Sequence, residues 1–362
     1  MKPPDSQERP VPLFRTALLS SFALSAAACV SAPPPVIEGQ KFVMASVETA
    51  PAGAQGDAAD DPALWLHPSD PGKSLVLGTN KQVGLVVFAL DGSEVQNLPI
   101  GLINNVDVRQ SADRTFDIAI ASNDQVNAIS VFLIDRASGN VSHGGDIPTG
   151  TIEPYGICQA RENGRDLAGV SYKDGTLQIW DLTVEPTGTS GELLKTIKLE
   201  TQLEGCVFDE TNGIMFVGEE NQGLWTVAYR EDAPAPVLID TVGGPNGLVA
   251  DVEGVSIWKG ADGQGWVVAS AQSEDRFVVY DRQAPHAPRG SFSIIENAPL
   301  NIDKVTHTDG LDVFSGALPG FPRGVLIVQD DGNPRSGQDQ NFKIVNWADV
   351  EVELGLPVLA AE

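Results

Sequence analysis

Carboxylates are concentrated at the start of apolar segments in this chain. The stretch GDAADDPALWLHPSD, residues 56–70, places Asp57, Asp60 and Asp61 directly before the apolar run PALW, which has the character of a buried strand. A carboxylate that approaches an apolar interior loses several kcal/mol of solvation unless a cation or a hydrogen-bond donor compensates it. These acids therefore either face water or surround a cation.

The same pattern recurs along the chain, as a polar residue followed by a small residue and an apolar strand. Its six anchors are separated by 44, 50, 49, 49 and 56 residues and are Asp61, Asn105, Tyr155, Glu204, Glu253 and Asp309. Six units of this size, each with room for four short strands, are typical of β-propeller blades. Because the first strand of each blade lines the central channel, the anchors are predicted to converge at one mouth of it.

The rest of the pattern agrees with an all-β fold. After residue 40 short apolar runs alternate with Gly, Asn, Asp and Pro clusters, and no useful helical periodicity appears. We therefore predict a six-bladed β-propeller of four-stranded antiparallel blades over residues 42–350, followed by a C-terminal tail, 351–362. Only two strands are predicted after the sixth first strand, so residues 42–48 are expected to supply the missing outer strand and close the ring.

Charge limits the partners of the protein. Lys and Arg total 23 against 49 Asp and Glu, a net charge of −26, which repels nucleic acid and anionic membranes and attracts cations. Calcium takes six to eight oxygen ligands, whereas zinc prefers His and Cys, and the four histidines show no metal-binding spacing. Calcium is therefore the expected metal, and nucleic acid is not an expected partner.

Residues 1–29 have the features of an export signal. Arg9 and Arg15 precede an apolar run that ends in small residues and is too short for a permanent transmembrane helix. The run resembles a bacterial lipobox, so Cys29 is predicted to be lipidated, with plain cleavage and secretion as the alternative. Residues 30–41 contain three consecutive prolines and predict an extended tether. We expect an exported protein, either secreted or a cell-envelope lipoprotein that meets the membrane only through this anchor.

Two further cysteines lie on neighbouring predicted strands. Cys158 is three residues past its anchor and Cys206 is two past its own, so simple alternation points their side chains to opposite faces. A disulfide between them is therefore not expected, because it would need a β-bulge.

Nucleophile motifs are missing. The chain has no G-x-S-x-G elbow, its PGKS segment lacks the first glycine of a P-loop, and no phosphatase loop follows Cys158. Metal-assisted attack by water is the remaining reaction type. Lys81 and Lys173 lie in loops near the acidic mouth and are candidates for phosphate binding, with solvated surface lysines as the alternative.

Several motifs, in order, resemble the β-propeller (alkaline) phytases of bacteria. They are the stretch from Gly56 already quoted, NNVDVR, PYGICQ, LEGCVF, DVEGVSIW, HTDGLDV and QNFKIVNW, and the resemblance runs from about residue 48 to 347. It implies a calcium-dependent, six-bladed phosphomonoester hydrolase of the 3-phytase type. The implied substrates are myo-inositol hexakisphosphate (phytate), its calcium complex and lower inositol phosphates, and a monomer is expected.

The resemblance also implies roles for individual residues. Calcium ligands are expected at Glu48, Asp61, Glu204, Glu220, Asp251, Glu253, Asp303 and Asp309, with Asp57, Asn105 and Asp330 as structural or bridging ligands. Among them Glu204, Asp251, Glu253 and Asp309 are expected to be catalytic, and Lys81, Tyr155 and Lys173 to contact substrate phosphate. The implied mechanism is direct attack by a calcium-bridged water on one phosphate while a neighbouring phosphate occupies a second subsite. Alternation turns Asp60 away from the face of Asp61, so Asp60 has no assigned role.

Two positions depart from the family pattern. Asp124 stands where the family usually has arginine, and Gln82 where a second lysine is common. Fully ionised phytate is therefore expected to bind more weakly, or to enter as its calcium complex. Two alternatives stay open, a non-catalytic calcium-stabilised propeller that binds without turnover and a six-bladed lactonase. Asp124 favours the first of these, whereas the acidic set with Lys81, Tyr155 and Lys173 favours the phytase.

Overall fold

The computed structural model describes residues 40–150, 152–230, 234–334 and 340–362. The predicted export signal, Cys29 and nearly all of the tether lie outside the described residues. Within those ranges no helix is both long enough and apolar enough to span a bilayer.

β-Strands make up most of the described chain. The first twelve are β1 (Lys41–Glu48), β2 (Ala59–Trp65), β3 (Leu75–Asn80), β4 (Gly84–Ala89), β5 (Glu94–Leu98), β6 (Ile103–Arg109), β7 (Phe116–Asn123), β8 (Ala128–Asp135), β9 (Val141–Pro148), β10 (Ile157–Glu162), β11 (Arg165–Ser171) and β12 (Thr176–Glu185). The next twelve are β13 (Gly188–Lys198), β14 (Leu203–Asp209), β15 (Ile214–Glu219), β16 (Gly223–Ala228), β17 (Val237–Thr241), β18 (Val252–Lys259), β19 (Gly265–Ala271), β20 (Arg276–Asp281), β21 (Pro288–Ile295), β22 (Leu311–Phe314), β23 (Val325–Asp330) and β24 (Asn341–Asn346).

The strands form an all-β, propeller-like arrangement. Four antiparallel sheets of four strands follow the chain, as β2–β5, β6–β9, β10–β13 and β14–β17. The remaining strands form one eight-stranded sheet in the order β18-β19-β20-β21-β1-β24-β23-β22. In it β1 pairs antiparallel with β24 and parallel with β21. The N-terminal strand therefore lies beside β24, where the sequence predicts an outer strand.

The first strands of the repeating units lie side by side around a closed cycle. In order, β2, β6, β10, β14, β18 and β22 each contact the next, and β22 contacts β2. Apolar side chains fill the space between neighbouring sheets. Trp65 on β2 and Phe132 on β8 belong to one buried cluster, and Phe208, Met215 and Cys158 belong to another. This packing fixes the first strands and therefore the residues at their starts.

β-Bulges interrupt four first strands at the same place. The pairing register shifts after Ala59 in β2, Ile103 in β6, Leu203 in β14 and Val252 in β18. A bulge adds one residue to one strand, so the side chains on either side of it do not follow simple alternation. Four of the predicted anchors lie at these shifts, and arguments from alternation fail there.

The expectation for the two internal cysteines was wrong for this reason. Cys158 on β10 and Cys206 on β14 form a disulfide with their Cα atoms 5.6 Å apart. The bulge between Leu203 and Cys206 changes the face on which Cys206 lies, which is the condition that a bridge required. The bond joins the first strands of two neighbouring sheets, two residues from Glu204.

A short helix, α1 (Trp347–Leu354), follows β24 and was not predicted. Asn346 caps its first turn, Val350 is buried, and buried Glu351 pairs with Arg323 at 2.6 Å. Two turns offer too little periodicity for a sequence pattern to show. The boundary that the sequence suggests at residue 350 falls within this helix.

Candidate metal and phosphate site

The starts of the first strands surround an acidic cavity of about 300 Å³, called the mouth cavity below. Its lining residues are Asp57, Asp60, Lys81, Tyr155, Glu253, Gln272, His307, Asp309, Asp331 and Gln340. Three predicted anchors, Tyr155, Glu253 and Asp309, are among them. Two others, Asp61 and Asn105, line a second cavity of about 230 Å³ formed by the first strands themselves. The repeat pattern therefore brings some anchors to the mouth and others into the channel.

Three glutamates converge beside the mouth cavity. Glu204 on β14, Glu220 just after β15 and Glu253 on β18 offer carboxylate oxygens that all lie within 4.8 Å of one another. Burial raises the pKa of Glu204, and the charge of Glu253 raises it further. Burial also raises the pKa of Glu253, followed by the charges of Asp309 and Glu220. The three carboxylates repel one another, so bound protons or a cation must offset their charge. A ligand set made only of oxygens fits a hard cation such as Ca²⁺.

Lys81 is surrounded by three aspartates. Its Nζ lies 2.9 Å from Oδ2 of Asp309, 3.1 Å from Oδ1 of Asp57 and 3.7 Å from Oδ1 of Asp60. Burial by itself lowers the pKa of Lys81, but the three carboxylates raise it overall. Burial raises the pKa of Asp60 to about 8, although the charge of Lys81 acts against this. Lys81 is therefore no solvated surface lysine, since only 17% of its side chain is exposed.

Asp60 and Asp61 point to different places, and Asp60 is the one at the mouth. Oδ2 of Asp61 accepts a hydrogen bond of 3.0 Å from the backbone N–H of Val106 on the next first strand. Burial, and then the charge of Asp60, raises the pKa of Asp61 well above its usual range. Alternation was right to turn Asp60 away from the face of Asp61, but the sequence analysis assigned the mouth to Asp61, whereas Asp60 lines the mouth cavity and Asp61 lines the second cavity.

A second acidic group surrounds a buried lysine that the sequence analysis missed. Nζ of Lys343 lies 2.7 Å from Oδ1 of Asp303, contacts Oδ2 of Asp330 and lies 3.7 Å from Oε2 of Glu48. Among the described residues, Oε2 of Glu48 and Oδ2 of Asp303 are buried without a hydrogen-bond partner. Burial raises the pKa of Asp330 to about 6 despite Lys343. The sequence did carry a signal for this buried group, because Lys343 is a charged residue in the middle of the apolar strand segment NFKIV.

The rim beside the cavity carries the other predicted phosphate contacts. Nζ of Lys173 lies 4.0 Å from the centre of the Tyr155 ring and 4.0 Å from Oε1 of Glu153. Burial, followed by the charge of Glu204, raises the pKa of Tyr155. Asp124 lies on the same side, and burial together with a hydrogen bond to Glu153 raises its pKa to about 7. The rim thus combines one half-exposed ammonium with two carboxyl groups.

Gln272, which the sequence analysis did not single out, contacts two of these acids, one through its side-chain amide and one through its backbone. Nε2 of Gln272 donates to Oδ1 of Asp309 at 2.5 Å, and its backbone N–H donates to the carbonyl of Asp251. Asp251 is itself close enough to Glu253 to raise the pKa of that residue. The amide of Gln272 and the ammonium of Lys81 therefore fix Asp309, one at each oxygen of its carboxylate.

Comparison with known proteins gives a consistent result. A family model described as Phytase matches residues 12–357. The 3-phytase of Bacillus subtilis (strain 168) is 34% identical over 329 residues, which is 86% of this chain and 85% of that protein. Two solved structures show weaker likeness. A functionally unknown protein from Desulfotomaculum acetoxidans DSM 771 has a TM-score of 0.46 and 14% identity, over 64% of this chain and 70% of its own. BBS1N in complex with ARL6DN has a TM-score of 0.49 and 12% identity, over 84% of this chain and 97% of its own.

Proposed function

The chain belongs to the phytase family of phosphoric monoester hydrolases, and on that premise we propose that it releases phosphate from phytate in a calcium-dependent reaction. The observation that carries the calcium dependence is the cluster of Glu204, Glu220 and Glu253 beside the mouth cavity. The family assignment gives the lactonase alternative no support, and the similarity to a 3-phytase favours turnover over the binding module.

Each part of the site has a chemical task in this proposal. Calcium, when bound, supplies Lewis acidity toward a phosphate oxygen and a water molecule. The three glutamates hold the cation, with Asp251 beside them. Asp309, fixed between Lys81 and Gln272, accepts a proton from the attacking water as the water oxygen bonds to phosphorus and the phosphorus–oxygen bond to inositol breaks, and this proton then passes to the leaving inositol oxygen.

Two regions contribute to substrate binding. Lys81 offers its ammonium to the phosphate that reacts, and Lys173 and Tyr155 at the rim contact a neighbouring phosphate. The acidic rim of Asp124 and Glu153 disfavours a fully ionised phosphate there, so calcium-bound phytate and lower inositol phosphates are the better substrates.

Further cations are proposed at the second acidic group. Glu48, Asp303 and Asp330 already compensate the charge of Lys343, yet Oε2 of Glu48 and Oδ2 of Asp303 keep free ligand capacity among the described residues. Asp57, Asp61 and Asn105 are proposed as structural or bridging ligands. Asp61 has the weaker case, because one of its oxygens is engaged by Val106.

We also propose that the strands form six blades. Dividing the eight-stranded sheet between β21 and β1 gives two units of four strands, β18–β21 and β22–β24 with β1. The closed cycle of first strands supports this division. Export, lipidation of Cys29 and a monomeric state stay proposals from the sequence.

One assay tests the proposed function. Phosphate release from phytate is measured with the purified protein over a range of calcium concentrations and again with a chelator. We expect release that rises with calcium and stops with chelator. No release at any calcium concentration would overturn the phytase proposal, and release unaffected by chelator would overturn the calcium mechanism.

A further inference from the structure

We propose that Gln202 is the positioning residue of the three-glutamate cluster, and that its side-chain amide holds Glu204 and Glu220 in the arrangement that binds a divalent cation. The inference rests on the proposed function of this cluster as a calcium site. Gln202 belongs to none of the predicted ligands or phosphate contacts.

The contacts of Gln202 single it out. Its Nε2 donates to Oε1 of Glu204 at 3.0 Å and also donates to Oε1 of Glu220. One amide group therefore bridges two carboxylates, one on β14 and one just after β15. Both N–H bonds of the amide are used. The other oxygen of Glu204 is left for a cation, whereas that of Glu220 accepts a long hydrogen bond of 3.5 Å from Nδ2 of Asn221, which a cation can displace.

The backbone of Gln202 strengthens this contact. Its carbonyl accepts the backbone N–H of Glu220 at 3.1 Å, so Glu220 is held by Gln202 at two points. The carbonyl of Glu220 in turn accepts the backbone N–H of Val252 at 3.1 Å, directly before Glu253. A continuous set of hydrogen bonds thus joins the three segments that carry the glutamates.

The physical effect is preorganisation without added charge. Buried Glu204 and partly buried Glu220 lie side by side, so their carboxylates repel each other and would separate before a cation arrives. A neutral amide that donates to both reduces this repulsion, yet leaves the negative charge that attracts calcium. Partners that orient metal ligands in this way commonly change metal affinity by about 10–100-fold when they are removed.

The first experiment removes the amide and keeps the size of the side chain. Calcium binding to the chelator-treated full-length protein is measured by isothermal titration calorimetry for wild type and Gln202→Met. We expect binding at this cluster to weaken by about tenfold or more. Unchanged affinity would overturn the proposal. Because the titration contains no phytate, its outcome is independent of whether the protein releases phosphate.

Gln222→Met is the matched control. Gln222 lies two residues after Glu220 and makes backbone hydrogen bonds with Glu219 and Val242. In the described part of the chain, its amide has no hydrogen bond to any of the three glutamates. Calcium affinity in this variant is expected to stay within twofold of wild type, and an equal loss in both variants would contradict a specific role for Gln202.

A positioning role also predicts coupling with the ligands. In a Glu220→Gln background, Gln202→Met should weaken calcium binding by less than it does in the wild type, because one of its partners has already changed. Fully multiplicative effects would overturn the proposal. In turnover assays, the calcium needed for half-maximal activity should rise in Gln202→Met while the KM for phytate at saturating calcium stays within twofold.

Gln202→Lys keeps the test decisive if the methionine variant folds poorly. Its ammonium can donate to the same two carboxylates but brings its own positive charge. We expect this variant to melt at a higher temperature than wild type in chelator and to lose calcium binding at the cluster. Calcium binding as tight as in wild type would overturn the proposal.

Discussion

The ammonium nitrogen of Lys81 lies 2.9 Å from Oδ2 of Asp309, although 228 residues separate them in the chain. Asp57 and Asp60 approach the same nitrogen, so one positive charge serves three carboxylates from the first and last parts of the described chain. Lys81 therefore stabilises the mouth cavity and still leaves it with excess negative charge. This excess negative charge favours a cation in the cavity and disfavours an anion unless a cation accompanies it.

Replacing Lys81 should weaken substrate binding and the metal-free fold together. We expect Lys81→Met to raise the KM for phytate by about tenfold, which corresponds to about 1.4 kcal/mol, and to lower the melting temperature in chelator. Lys81→Arg should change the KM and the melting temperature less, because it keeps the positive charge. Lys73→Met is the control, since Lys73 is an exposed lysine paired with Asp70 and should behave as wild type. An unchanged KM in Lys81→Met would contradict phosphate binding by Lys81.

Neutralising one glutamate of the cluster should weaken calcium binding more than substrate binding. We expect Glu220→Gln to raise the calcium concentration for half-maximal activity by at least about tenfold, because one charged ligand oxygen is lost. Activity as a function of free calcium measures this. Glu192→Gln, at an exposed position of β13, should leave the curve unchanged. Equal curves for wild type and Glu220→Gln would exclude Glu220 as a ligand.

Without calcium, the protein should lose stability as the pH rises. Burial raises the pKa of Asp60 to about 8 and raises those of Glu204 and Glu253, so the folded state binds more protons than the unfolded chain from about pH 4 upward. The free energy of unfolding then falls with pH through that window, by up to about 1.4 kcal/mol per pH unit for each such group. Melting temperatures measured in chelator at pH 5.5 and pH 8 test whether the stability falls as the pH rises.

Asp60→Asn provides the control for this pH dependence. The variant lacks one of the titrating carboxyls, so its melting temperature in chelator should fall less steeply between pH 5.5 and pH 8. With saturating calcium, the melting temperature of wild type should instead rise from pH 5.5 to pH 8, because protons then compete with the bound cation. A metal-free protein that becomes more stable toward pH 8 would contradict the raised pKa values.

The sequence predicted repeating features well and long-range partners poorly. The spacing of the anchors follows from a pattern repeated in each unit, and it located Glu204 and Glu253, whereas Glu220 was expected only from the family resemblance. The bulge after Leu203 left no mark in the sequence, so alternation failed for Cys206. Lys343 lies opposite Glu48 only because β1 and β24, which are distant in sequence, pair in one register, and no local pattern contains that information.

Asp124 should limit the binding of highly charged phytate. Its Oδ2 accepts a hydrogen bond of 2.6 Å from Asn104, and its pKa near 7 means that it gains negative charge as the pH rises through neutrality. We expect Asp124→Arg to lower the KM for phytate at pH 8, and Asp124→Asn to lower it less. The KM of wild type should increase from pH 6 to pH 8 more than that of either variant. No improvement in the KM of Asp124→Arg would contradict this role for Asp124.

The disulfide between Cys158 and Cys206 should stabilise the fold and support the cluster. It closes a loop across a separation of 48 residues, for which the chain-entropy model gives about 4 kcal/mol. We expect reductant to lower the urea midpoint of wild type but not of a Cys158→Ala/Cys206→Ala variant, with thiol titration reporting the reduced bond. Because Cys206 lies two residues after Glu204 on β14, the reduced protein should also need more calcium for half-maximal activity. If reduction releases two thiols and the midpoint stays unchanged, the bond contributes no stability, and the packing of Cys158 and Cys206 alone fixes the two strands.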